Sequence, residues 1–170
     1  AYGYTPMNME RFKKATGQKI IEEESAVWKN WKRDQVTGLL KTLVKKARAI
    51  RPNIQISTTG LVPYSRATLE AFQDWQFWLK TGLIDFVTLM CYSTDTQEFQ
   101  RDIADAKNKM GNLKKINIAI GVYALVDLPE TFKQQLEICH KSRPPAYVFF
   151  HYGSMLQNPA ESDLLTQRSK

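Results

Sequence analysis

The sequence predicts an α/β fold, a portion of a β/α barrel with four parallel strands and covering helices. Four short apolar runs, at residues 54–59, 84–92, 116–123 and 146–152, recur about every thirty residues, and each is followed by a stretch with helical periodicity. Crossovers of that length return the chain to the same end of a sheet, so the strands pair in parallel. Alternation within the runs supplies the second observation. Ile116, Ile118, Ile120 and Val122 share one face of their strand, while Asn117, Ala119, Gly121 and Tyr123 share the other. Ile54 and Ile56 oppose Gln55, Ser57 and Thr59 in the same way. Aliphatic residues on one face suit packing under helices, and small or polar residues on the other suit a barrel interior. A sheet covered on both faces would read apolar throughout.

Length is the third observation. The chain has 170 residues and 43% hydrophobic residues, enough for one core. A complete β/α barrel needs roughly 250 residues. The expected forms are therefore a barrel fragment, a half-barrel that pairs with another copy, or a small open α/β sheet, in each case one domain without an internal boundary or linker.

Taken in order, the elements have local signals. A short helix is expected over 8–16, ended by Gly17. Ser25 reads as the N-cap of a long helix through Ile50, with Val27, Trp31, Leu39, Leu43, Val44 and Ala47 near helical spacing. Arg51-Pro52-Asn53 stops it and leads into the first strand. A second helix is expected over 67–80 with Gly82 as its turn, a third over 96–109 before Gly111, and a fourth from Pro129 to Lys141. A last short helix is expected after Asn158-Pro159.

The formal charge of +7 gathers between Lys29 and Arg51, where eight basic residues face one acid, Asp34. No nucleic-acid motif accompanies this cluster, so a solvated outer helix is favoured over a nucleic-acid or anion-binding surface. Cys91 and Cys139 have no disulfide or metal-ligand spacing and read as small core residues. No run is long and apolar enough to span a membrane, and the first residues lack a signal-peptide pattern. There is no phosphate-binding loop, Ser-His-Asp order, zinc pattern or nucleotide fingerprint, so no cofactor and no metal are expected.

Chemistry in β/α folds sits at the C-terminal ends of the strands. Those ends carry Ser57 and Thr59, Met90 and Tyr92 with the following Asp95, Tyr123, and His151 with Tyr152. The start of the long helix adds Trp28, Trp31, Arg33 and Asp34 at the same rim. Aromatics and hydroxyls together suit a sugar, whose C–H faces stack while its hydroxyls hydrogen-bond. Each residue has a structural alternative. Tyr92, Tyr123 and Trp31 could be packing, and His151 could be a general acid/base or a hydrogen-bonded interior histidine. Asp85, early in its strand, and Asp74, in the middle of the second helix, read as structural. Glycoside hydrolysis normally uses two carboxylates. Only Asp95 is apparent at this rim, so either the acids lie in a missing half or this segment is no self-sufficient hydrolase.

Three blocks carry a family resemblance: W-K-N-W-K-R-D-Q-V at 28–36, Q-D-W-Q-F-W-L-K-T-G-L-I-D-F-V at 73–87 and L-M-C-Y at 89–92. Together they resemble the glycosyl hydrolase-like family ten proteins, bacterial envelope-associated or secreted proteins with β/α-barrel domains. The resemblance implies that the four strands are the fifth to eighth of the barrel, making this its C-terminal half. It further implies that a catalytic acid lies upstream of Ala1, with Arg33 and Asp34 beside it and Tyr92 and Asp95 lining the cleft. A carbohydrate polymer is the implied partner, and an extracellular or envelope location is implied with it. The competing expectation is a non-catalytic glycan-binding or assembly module, forming a homodimer or pairing with the missing half-barrel through its open sheet edge.

Overall fold

A computed structural model describes residues 4–157. Four parallel strands, β1 (Ser57–Gly60), β2 (Phe86–Cys91), β3 (Ile116–Ile120) and β4 (Tyr147–Phe149), form one sheet in the order β1-β2-β3-β4. This is the expected α/β architecture of a partial β/α barrel. β1 and β4 each have one neighbour among the described residues.

The helices begin and end where local chemistry dictates. α1 (Pro6–Thr16) starts with proline in its first turn and the Thr5 hydroxyl accepting from the Asn8 N–H. Gly17 closes it in the left-handed conformation, at φ 73°. α2 (Ala26–Ile50) is capped by Ser25, whose Oγ accepts from the Trp28 N–H. Its basic residues Lys41, Lys45 and Lys46 are exposed.

The stretch expected as one helix over 67–80 is instead two, α3 (Tyr64–Leu69) and α4 (Trp75–Lys80). Phe72 between them is left-handed, at φ 56°, and the Gln73 side chain accepts from the Leu61 N–H. Asp74 is therefore not a mid-helix residue. Its carboxylate caps α4 by accepting from the Phe77 N–H at 3.1 Å, and also takes the Tyr64 hydroxyl at 2.5 Å. Capping competes with helix continuation for a residue of this type.

α5 (Thr96–Met110) and α6 (Pro129–Ser142) match the expected third and fourth helices. The fourth apolar run yields only three residues of strand, and its end instead starts α7 (Tyr152–Gln157). The helix expected after Pro159 lies outside the described residues.

Register explains the layering. Val87, Leu89 and Cys91 pair with Ile116, Ile118 and Ile120, and Ile118 and Ile120 pair with Tyr147 and Phe149. Residues paired in this way share a face. That face packs beneath the helices with Trp75, Trp78, Phe99, Ile103, Phe132 and Leu136. Both cysteines are buried and free. The opposite face carries Ser57, Thr59, Thr88, Met90, Asn117, Ala119 and Val148. Ala119 is buried, whereas Ser57, Thr59 and Val148 are exposed.

Polar bonds fix the helices to the sheet. Trp78 donates from Nε1 to the Thr37 hydroxyl at 2.9 Å, tying α4 to α2. Asp85, just before β2, accepts from the Ile56 N–H at 2.6 Å and pairs with Arg48 at 3.4 Å. It works at the N-terminal end of the sheet, as its sequence position suggested.

Gly60 marks the tightest packing. A Cβ there would stand 2.9 Å from both Leu89 Cδ2 and Trp75 Cδ1 and 3.0 Å from Val87 Cγ2. Gly60→Ala is expected to destabilise the fold by about 1–3 kcal/mol, read as a lower urea midpoint at unchanged slope. An unchanged midpoint would contradict this packing.

Candidate functional site at the strand ends

The C-terminal ends of β2, β3 and β4 lie side by side, because β3 pairs in parallel with both of the others. Tyr92 follows β2 directly, Tyr123 sits in the 3-10 turn Val122–Ala124, and Phe150 with His151 follows β4. The Phe150 N–H donates to the Ile120 carbonyl at 2.9 Å, holding the third exit against the second. Gly121 is what lets the rings meet. A Cβ there would lie 3.0 Å from Cβ, Cγ and Cδ1 of Tyr92.

Three rings assemble over that glycine. Tyr92 stacks on Phe150, with centroids 5.5 Å apart and planes 16° from parallel, and meets Tyr123 edge-on at 5.7 Å. Tyr123 closes the triangle on Phe150 at 6.0 Å. These distances and angles are those aromatic quadrupoles favour. Tyr123 and Phe150 nevertheless remain 48% and 47% exposed, so the cluster presents ring surface outward. Partial burial raises the Tyr92 phenol above its ordinary range.

Beside the rings lies a cavity of about 380 Å³ lined by Leu61, Val62, Arg66, Met90, Tyr92, Ser93, Glu98, Asp102 and Tyr123. Two of its carboxyls differ in environment. Glu98 is exposed and accepts from the Ser93 hydroxyl at 2.6 Å. Asp102 is only 7% exposed and takes no hydrogen bond from any described residue. Burial first, then the nearby Glu98 and Asp105 charges, push its carboxyl up to about 6, against the smaller opposing pull of Arg101 and Arg66.

The expected site residues fall into three groups. Tyr92 and Tyr123 meet, with His151 adjoining through its edge-on contact with Phe150 at 5.6 Å. His151 is exposed, with Nε2 3.4 Å from the Ser154 Oγ, and Tyr152 is exposed at the start of α7. Asp95 is the N-cap of α5, its Oδ1 accepting from the Gln97 and Glu98 N–H groups at 2.7 and 3.2 Å, and it is not among the cavity's lining residues.

The third group lies on α2. Trp31 is 8% exposed, stacked on Trp28 at 5.1 Å and edge-on to Phe12. Arg33 and Asp34 line a separate hollow of about 320 Å³ with Asn30, Thr37, Lys41, Asp74 and Phe77. Arg33 donates there to the Thr68 carbonyl and to the Asn30 side chain.

Sequence reasoning missed Asp102, Glu98, Arg66 and Phe150. Asp102 did leave a signal, because it interrupts the buried stripe of Phe99, Ile103 and Ala106 on α5. Glu98 stands one turn before it on the same helix face.

Asp102 makes stability pH-dependent. Its folded pKa is raised from 3.8 to about 6, so the folded state binds a proton that the unfolded state has released between those values. Stability contributed by this group is intact below pH 3.8 and declines as pH rises through 6. Asp102→Asn is expected to be more stable than the parent by roughly 1 kcal/mol at pH 7.5 after solvent screening, with the gap closing toward pH 4. Thermal melts of both proteins at the two pH values check this, and an equal gap at both would contradict it.

Among known families, the Glycosyl hydrolase-like 10 family matches residues 1–137. No curated protein and no solved structure matches the chain. With most of its length matched, including β1, β2 and β3 and the tyrosines that follow β2 and β3, the chain belongs to the glycosyl hydrolase-like 10 family.

Proposed function

We propose that this glycosyl hydrolase-like domain acts on or binds a polysaccharide or cell-wall glycan at the C-terminal ends of its strands. The observation that carries the reading is the partly exposed Tyr92–Tyr123–Phe150 cluster beside a cavity lined with hydroxyls and carboxyls. A pyranose lays its C–H face on an aromatic ring and turns its hydroxyls to polar groups around it. Tyr123 and Phe150 offer the ring surface, and the Tyr92 and Tyr123 hydroxyls, Ser93 and Glu98 offer the polar rim.

His151 and Tyr152 extend the surface on the β4 side. Asp95 serves mainly by holding the start of α5, since two backbone amides occupy its carboxylate oxygen. Trp31, Arg33 and Asp34 enter this reading only as contacts for a polymer long enough to pass α3. An extracellular or envelope location belongs to the same reading, because such polymers are found there.

A second reading rests on the sheet edges. Among the described residues β1 is unpaired on one side, next to exposed Leu39 and Leu43 on α2, and these residues line a shallow apolar hollow with Thr58 and Thr59. A glycan-binding module that dimerises through this edge would cover them. Light scattering separates the two readings, since a monomer at micromolar concentration removes the second.

Isothermal titration with soluble hexasaccharides of N-acetylglucosamine and of glucose tests the cleft itself. Tyr123→Ala is expected to weaken binding about fivefold or more, in line with a lost stacking contact. Lys45→Ala on the basic face of α2 should leave it unchanged. The reverse ranking would overturn the proposal.

A further inference from the structure

Asp102 has no structural task that accounts for its position. It occupies the buried stripe of α5 between Phe99 and Ile103, where an apolar side chain would pack without cost. The residue is 7% exposed, its carboxyl oxygens keep some solvent contact, no described residue donates a hydrogen bond to them, and it lines the cavity together with Tyr92 and Tyr123.

Every charged group around it is committed elsewhere or is exposed. On α5, Glu98 holds the Ser93 hydroxyl, Asp105 accepts from the Tyr64 N–H at 3.1 Å, and Arg101 is exposed. On α3, Arg66 pairs with Glu70 at 2.9 Å. On β2, Cys91 is buried and its thiol is pushed well up by burial and then by Asp102.

We propose that Asp102 is the carboxyl that meets the sugar in this cleft, and that it does so as the neutral acid. The inference rests on the carbohydrate reading above. A protonated carboxyl presents one donor and one acceptor side by side, whereas a carboxylate only accepts. Two neighbouring sugar hydroxyls offer the complementary pair, one accepting and one donating. A ligand that fills the cavity also displaces water from around Asp102, and loss of water favours the uncharged form. The carboxyl already titrates near 6 without a ligand, so it is half protonated under mildly acidic conditions.

The test is titration of the N-acetylglucosamine hexamer and the glucose hexamer into the full chain at pH 5 and pH 8. The parent should bind at least about fivefold more tightly at pH 5, when the acid is largely protonated. Asp102→Asn keeps a donor and an acceptor but cannot ionise. It should bind equally at both pH values, within about twofold of the parent at pH 5. Lys45→Ala, on the exposed face of α2 and outside the cavity, should retain the parent's pH dependence.

Parent binding that is insensitive to pH, yet still weakened by Tyr123→Ala, would overturn this inference and leave the cleft reading standing. An Asp102→Asn protein that melts normally but has lost binding would also overturn it. Failure of the parent to bind either hexamer at any pH would remove both readings together.

Discussion

The in-phase parallel register of β2 and β3 is the constraint on which the rest of the structure depends. Pairing Val87, Leu89 and Cys91 with Ile116, Ile118 and Ile120 puts the branched aliphatic residues of these two strands on one face. Slipping by one residue would turn those side chains to the other face and bury Thr88 and Asn117 beneath the helices. The same register places the exits of neighbouring strands at one height. That is why Tyr92 and Tyr123, thirty-one positions apart in sequence, end with their rings in contact.

Glycines stand at the two places where this geometry leaves no room. Gly60 ends β1 against Trp75, Val87 and Leu89, and Gly121 follows β3 under the ring of Tyr92. One permits the helix layer to approach the sheet, and the other permits the aromatic cluster to form. The bonds that hold the sheet together and the proposed site also lie at opposite ends of the sheet. Asp85 ties β1, β2 and α2 together at the N-terminal end, while the C-terminal end holds exposed rings and a mostly buried acid to which no described residue donates a hydrogen bond. Conflict with good packing, as at Asp102, is expected where a fold has been bent to another purpose.

Much of this was legible in the sequence because its signals were local. Strand periodicity, the Ser25 cap, the Gly17 stop and the Pro129 start depend on neighbours within one or two turns. The helix over 67–80 was not legible in full. Its apolar spacing continues through Phe72, but the Gln73 side chain and the Asp74 cap bind groups on either side and break it. At the site, Tyr92 and Tyr123 could be assigned to the strand ends by alternation. Which rim residues share a cavity could not, because that depends on how α3 and α5 tilt over the strand ends. Arg33 and Asp34 thus fall in a different hollow from Tyr92, and Asp102 enters from a helix that pattern alone marked as outer wall.

The claim that the strand ends form a carbohydrate cleft is tested most directly by locating the ligand. Amide chemical-shift mapping of the isotopically labelled chain with the N-acetylglucosamine hexamer and the glucose hexamer does this without requiring turnover. The expected result is a contiguous set of shifts at Ser93, Glu98, Tyr123 and Phe150, with the amides of Lys41 to Arg48 unmoved. Shifts confined to the basic face of α2, or absent throughout, would contradict it.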